Sequence, residues 1–507
     1  MSIDFPTTDK SLGLTPGRPD LDLLQRVGLG LLGVGVAVLI AATLAAGLRG
    51  WASLLLILGL ITAGSLVYSF RTYLREPAGI RNNRAVTASL TGRGALGWLA
   101  GVVLTAFYCI HYWKDAWFAG LHDVFDPISL AIVGKETDKY FFYALLYTVA
   151  VLIMGVRALL RYRHNRYQIV RTCMVMFSQF VFAFSIPFIM ARIAGKEFWP
   201  SYFWPLGYTS LFPENAEDLI FNRGALGAFI FGWGVIMILV ATPILTWFFG
   251  KRWYCSWVCG CGGLANTFGD GWRHLSDKSM RAWKIERVTI FSVLAFVIIT
   301  TGALWPLNSR VKAAMAPFEA VGIEQVRSED PDLPPGAGIK AVKALAESDP
   351  AGYGVAAESL LSRLKLHNRV SKTYAFLIGS IFAGVIGTGF YPILGTRVWC
   401  RFGCPMAAIL GTMQRFFSRF RITTNGAQCI SCGNCSKYCE MGIDVRWYAQ
   451  RGQNIVRASC VGCGMCAAVC PRGVLSLENG PRDNRLPEPI SLTLPEKSGI
   501  QAAVRTD

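Results

Sequence analysis

Eight stretches of this chain, roughly 27–48, 51–70, 94–113, 140–156, 172–191, 224–250, 288–309 and 373–396, contain no Asp, Glu, Lys or Arg. A helix needs about 20 apolar residues to cross a hydrocarbon core about 30 Å thick. Backbone polar groups in lipid must be satisfied within the segment, so runs of this length are expected to be membrane helices. Soluble cores seldom hold eight of them. Composition agrees, because only 16% of the residues are charged, against roughly 25% in ordinary globular chains.

The net charge is +18, from 50 Lys and Arg against 32 Asp and Glu. Such an excess can mark a nucleic-acid partner, but its location argues otherwise. The connections 71–93, 157–171 and 251–287 carry five, five and seven basic residues, whereas 114–139 and 192–223 carry three each. That alternation is a topology signal. It predicts eight membrane spans with both termini cytoplasmic, membrane lipid as a partner and no nucleic acid. Arg397, Arg401, Arg415, Arg419 and Arg421 fall on the same basic side. Arg252 and Arg397 are read as anchors for lipid phosphates.

The first span is too long for the apolar core of a cleavable signal peptide and is expected to remain as an anchor. Gly28, Gly30 and Gly33 form a G-x-G-x-x-G pattern inside it. A dinucleotide fingerprint needs a preceding strand, so the glycines are assigned to close helix packing. The long connection 310–372 is read as external, with short helices near 338–348 and 354–366. The polar tail 481–507 is expected to be flexible.

Thirteen of the 15 cysteines fall into four short groups. Cys429, Cys432, Cys435 and Cys439 are spaced C-x2-C-x2-C-x3-C, and Cys460, Cys463, Cys466 and Cys470 repeat the spacing before Pro471. This is the bacterial two-cluster ferredoxin pattern, in which the fourth cysteine of each run serves the other cluster. The expectation is two [4Fe–4S] clusters. One is held by Cys429, Cys432, Cys435 and Cys470, and the other by Cys460, Cys463, Cys466 and Cys439. Gly433, Gly462 and Gly464 give the backbone its tight turns. Zinc sites use two separated pairs instead, and disulfides are disfavoured in a cytoplasmic module. Glu440 stands where the pattern usually has proline. The distance between the two runs predicts an insertion near 444–456.

The remaining two groups form an internal repeat. Gly250-Lys-Arg-Trp-Tyr-Cys255-Ser-Trp-Val-Cys259 matches Gly395-Thr-Arg-Val-Trp-Cys400-Arg-Phe-Gly-Cys404 in register at Gly, Arg and both Cys. Each copy follows an apolar span at its cytoplasmic end. If each pair lies on a helix, positions i and i+4 face one way, and two pairs could offer four thiolates. Three chemistries fit: a further iron–sulfur or metal centre, a redox-active dithiol, or structural reduced thiols. Cys109 and Cys173 lie alone in spans and are read as packing residues. The five His are read as satisfied polar or interfacial groups, with no haem pair.

Paired C-x3-C motifs after membrane spans, followed by a two-cluster module and by Gly442-Ile-Asp-Val-Arg446, resemble the NosR/NapH-type membrane polyferredoxins and, in part, the CcoG-type proteins. The resemblance covers about 250–475. Cys259 is followed by Gly260 where the family has proline, and the first five spans match nothing in it. It implies membrane electron transfer among the clusters, a membrane-face cysteine centre, quinone and a membrane or external redox partner. A second reading is a maturation factor that reduces a metal ion or a disulfide. A transporter is disfavoured because the spans lack charged residues. The expected fold is mainly α: an N-terminal tail 1–21, a polytopic helical bundle over 22–425, a small cytoplasmic α+β ferredoxin module over 426–480, and the tail.

Overall fold

The computed structural model describes residues 21–74, 86–319, 354–425 and 428–480. The helix expected at 338–348 and the tail 481–507 lie outside these residues. Eight helices are long and apolar enough to cross a membrane: Leu23–Leu44, Trp51–Leu74, Ala95–Trp113, Lys139–Arg161, Arg166–Ala194, Gly224–Phe249, Met280–Arg310 and Lys365–Gly389. Each contains most of one apolar run. The helix expected at 354–366 is the beginning of Gly354–Tyr374, which runs directly into the eighth span.

The first two spans pack closely because glycines face glycines. A Cβ on Gly28 would lie 2.9 Å from the Gly64 carbonyl, and one on Gly35 would lie 2.8 Å from the Ile61 side chain. Gly30 and Gly33 have open space around them. Only part of the glycine pattern therefore serves packing, and Gly35, outside the pattern, joins it.

Two connections on the side away from the C-terminal module hold structure that the charge pattern did not show. Residues 114–139 contain the helix Ala119–Ile132, whose Asp123 pairs with Arg49 at the end of the first span. The connection from 195 to 223 dips between the spans. Trp233 donates to the Pro200 carbonyl at 3.0 Å, and Trp233 stands nine residues, about 13 Å, inside its helix. Trp204 donates to Thr301 Oγ1, within the seventh span, at 3.2 Å.

The C-terminal module is small. Strand β1 (Phe420–Thr424) pairs antiparallel with β2 (Leu475–Asn479), and Phe420 lies opposite Asn479. Between them lie the cysteine turns and the helix Val445–Gln450, where an insertion was expected. The main hydrophobic core is shared: Trp253, Cys255, Trp399 and Cys404 from the bundle pack in one cluster with Ile422, Cys439, Met441 and Cys460 from the module.

Candidate iron–sulfur centres

Two small cavities in the module are built around its cysteines. The first is lined by Cys429, Cys432, Cys435 and Cys470 with Ile430, Arg446 and Pro471. The second is lined by Cys439, Cys460, Cys463 and Cys466 with Glu440, Met441 and Ile443. The fourth cysteine of each run therefore crosses to the other cavity. Among the described residues no three His, Cys, Asp or Glu converge tightly enough to hold one metal ion. Thiolates on a single zinc sit within about 4 Å of each other, given Zn–S bonds near 2.3 Å. A four-iron cube needs four cysteines around a larger space, and each cavity is lined by four.

Backbone geometry makes the turns. Gly462 has φ +61, and a Cβ there would stand 2.7 Å from Arg252 and 3.1 Å from the Phe420 ring. Glycine supplies both the left-handed conformation and the clearance. The cavities differ in surroundings. Cys432 is exposed, whereas Cys439, Cys460 and Cys466 are buried against the bundle.

The module is bolted to the bundle through the second cavity. Tyr167 donates to the Gly462 carbonyl at 2.8 Å, Gln168 to Cys463 at 2.9 Å and Arg171 to Cys463 at 2.6 Å. Ser256 donates to Val461 at 2.7 Å and Gln414 to Cys460 at 2.8 Å. These bonds fix three sides of the cysteine turn.

The two C-x3-C pairs converge below this interface. Cys255 lies within electrostatic range of Cys259 and Cys400, and Cys404 within range of Cys255, Cys259 and Cys400. Neither pair lies on one helix, so the i, i+4 argument does not hold. Cys255 sits in the turn Trp253–Val258 and Cys259 caps the next helix, Gly260–Asn266. Cys400 sits in Val398–Phe402 and Cys404 caps Pro405–Phe416. The repeat is thus a broken helix, with the second cysteine at the break. Gly250 and Gly395 precede both copies with φ +67 and +85.

A fifth thiol joins them. Cys261 lies beside Cys259 and near Cys400 and Cys404. Spacing gave no reason to include it, since the second copy has Met406 there. Cys109 and Cys173 stay apart from these groups, and Cys173 is exposed rather than packed.

The pairs are also deeper than the end of a span. A Cβ on Gly260 would meet Gln179 Oε1 at 3.2 Å. Gln179 is eighth in the apolar run 172–191, so it stands about 10 Å inside that run. From the other side the Tyr254 hydroxyl donates to the Ser201 carbonyl, in the connection that dips inward.

Arginines line the route between module and pairs, and they are not lipid anchors. Arg397 is 1% exposed. Its Nη1 donates to the Cys255 carbonyl at 2.8 Å and to Cys400 Sγ at 3.8 Å, and its Nε pairs with Glu440 at 3.2 Å. Arg273 pairs with Glu440 at 2.9 Å and donates to Cys463 Sγ at 3.9 Å. Arg252 lies over the rings of Tyr167, Trp257 and Phe420. Burial raises the Asp270 and Glu440 carboxyl pKa values, but the surrounding arginines overcome it and hold both below the ordinary range.

Five guanidinium groups, of Arg157, Arg161, Arg171, Arg273 and Arg397, thus face two carboxylates, Asp270 and Glu440. Arg171 Nε and Arg273 Nη2 find no acceptor among the described residues. Buried charge needs a counter-charge. Thiolate-ligated clusters carry net negative charge, so the donor set and its electrostatics both fit them.

On the opposite side, His111 and His122 come close to each other beside Phe107, Phe118 and Phe142. His111 Nδ1 has no hydrogen-bond partner among the described residues, which departs from the expectation of a satisfied side chain.

Comparison with known proteins gives the same partition. Residues 428–475 match the 4Fe-4S dicluster domain family. Residues 231–278 and 374–423, which hold the two C-x3-C pairs, each match a 4Fe-4S binding domain family. A 49-residue stretch is 41% identical to YccM of Escherichia coli (strain K12), a protein named for electron transport; it covers 10% of this chain and 13% of that protein. No solved structure matches the chain. The chain is a mainly helical, iron–sulfur-binding protein with eight candidate membrane helices and a small C-terminal module.

Proposed function

We propose that this protein carries electrons between two [4Fe–4S] clusters in the module and a third iron–sulfur centre sunk in the bundle. Cys429, Cys432, Cys435 and Cys470 hold the outer cluster. Cys439, Cys460, Cys463 and Cys466 hold the inner one. Cys255, Cys259, Cys400 and Cys404 supply the third centre. When bound, such clusters supply one-electron chemistry. The chain's own residues fix their spacing, exclude water and provide the counter-charge.

The observation that carries this reading is the convergence of both C-x3-C pairs directly beneath the inner cavity. The fifth span acts as a ruler. Tyr167, Gln168 and Arg171 touch the inner cysteine turn, and Gln179 meets the paired-cysteine turn. The eight residues from Arg171 to Gln179 rise about 12 Å. An exposed outer cluster, a buried inner one and a deeper centre form a graded path. It begins with a redox protein on the cytoplasmic side of a bacterial inner membrane. It ends at quinone or at a redox partner reached through the dipping connection.

The alternative reading, a maturation factor that reduces a metal ion or disulfide, needs thiols that a substrate can reach. Burial of Cys255, Cys400 and Cys404, all at 6% exposure or less, counts against it.

The test is anaerobic iron and acid-labile sulfide counting with EPR, on wild type and on Cys255→Ser/Cys400→Ser. The expected result is about twelve irons in wild type and about eight in the double variant. About eight in both would overturn the third centre.

A further inference from the structure

Glu440 is the residue that departs from the ferredoxin pattern, and its surroundings give the departure a role. It follows Cys439 directly, is 0% exposed, and sits between two arginines that reach opposite ways. Arg273, 0% exposed, pairs with it at 2.9 Å and reaches Cys463 Sγ at 3.9 Å. Arg397 pairs with it at 3.2 Å and reaches Cys400 Sγ at 3.8 Å. A proline at this position could make neither pair.

We propose that Glu440 is a positioning residue that sets the reduction potentials of the inner cluster and the third centre together, by holding Arg273 at Cys463 and Arg397 at Cys400. This rests on the function proposed above.

Three physical points support it. Donors to cluster sulfurs and nearby charge are the levers by which a protein tunes such potentials. The charges lie in a dry interface, where they act strongly and salt screens them little. Arg397 also keeps a left-handed backbone, φ +68, which a side chain seldom adopts without a local requirement. Its counterpart Arg252 has ordinary helical backbone and lies on aromatic rings. Only one copy of the repeat has turned its arginine to the sulfurs, and that is the copy Glu440 meets.

The signs follow from charge. Reduction adds an electron to a centre that is already anionic. Glu440→Gln keeps an acceptor oxygen for both arginines, so they stay at the sulfurs, while loss of the carboxylate charge leaves them less compensated and makes reduction easier at both centres. The outer cluster, nearer solvent, serves as the internal reference.

The experiment is a redox titration followed by EPR on wild-type protein and Glu440→Gln, each with its iron counted. The expected result is full iron, with the inner cluster and the third centre both easier to reduce by about tenfold, which is about 59 mV for a one-electron couple. The outer cluster should stay in place. Potentials unchanged at either inner centre would overturn the proposal. If Glu440→Gln loses iron, Arg273→Lys and Arg397→Lys decide. Each keeps its charge but withdraws the fork, so Arg273→Lys should lower only the inner cluster and Arg397→Lys only the third centre. Loss of iron in all three variants counts against a tuning role. A wild type with only two centres ends the functional reading itself. Three centres that ignore Glu440 end only this inference.

Discussion

The two copies of the cysteine repeat share a scaffold and divide its work. Both begin with a glycine of positive φ, place a first cysteine in a short helical piece, and put the second at the break before another helix. From there they diverge. The first copy faces the module: Lys251 donates to Ala458 at 3.2 Å, Ser256 to Val461 at 2.7 Å, and Arg252 packs over rings beside Gly462. The second faces charge. Arg397 meets Glu440, and Arg401 meets Glu286 at 2.7 Å and the Asp277 carbonyl at 2.6 Å. Duplication supplied the sulfur geometry, and substitution made one copy a dock and the other an electrostatic frame.

That division can be broken from either side. The largest effect is expected from Arg397→Ala, which leaves Glu440 with Arg273 as its remaining close partner and takes from Asn266 Oδ1 its buried donor. Removing one partner of a buried ion pair costs about 3–5 kcal/mol, so thermal unfolding followed by near-UV circular dichroism should move far down and iron should be lost. A melting point near wild type would show that the frame is dispensable. Gly395→Ala comes next. It forces side-chain strain of about 1–2 kcal/mol at positive φ, and its Cβ would stand 2.6 Å from the Ser276 backbone nitrogen. Gly250→Ala carries the same strain but meets only side chains, Gln414 and Phe420. It should therefore cost less, and equal losses in denaturant titration would contradict the asymmetry.

Smaller effects belong to the dock. Arg252→Ala removes a cation above aromatic rings, worth about 0.5–2 kcal/mol. It should loosen the module, read as faster proteolysis within 428–475, while the third centre keeps its EPR signal. The smallest change is Ser256→Ala, one hydrogen bond worth about 1 kcal/mol. Loss of the third centre's signal in either variant would mean that the two copies are not divided in this way.

Much of this architecture was legible in the chain. Length and apolarity alone decide a membrane helix, so the eight runs translated directly into eight helices. Cysteine spacing is nearly as direct, because a tight turn must present its sulfurs together, and the two cavities take four cysteines each. Depth was not legible. Charge counting puts residues 251–287 at a membrane face, but a broken helix and Gly260 let the cysteine turn sink to Gln179. Cys261 was missed because the other copy has methionine there. Arg397 was misread as a lipid anchor because sequence gives its charge but not the buried carboxylate 43 residues later that neutralises it. Long-range charge pairing leaves no periodic trace.

The crowd of arginines at the interface has a consequence for how the protein is made. A bundle whose module carries no clusters has guanidinium groups shut in a dry seam with too few carboxylates to balance them. That seam cannot close comfortably, so insertion of the clusters and closure of the fold become one event. An unloaded chain stays open and exposed to the proteases that survey the membrane. The steady amount of this protein would then follow the supply of clusters in the cell, and iron starvation should lower the protein faster than its messenger.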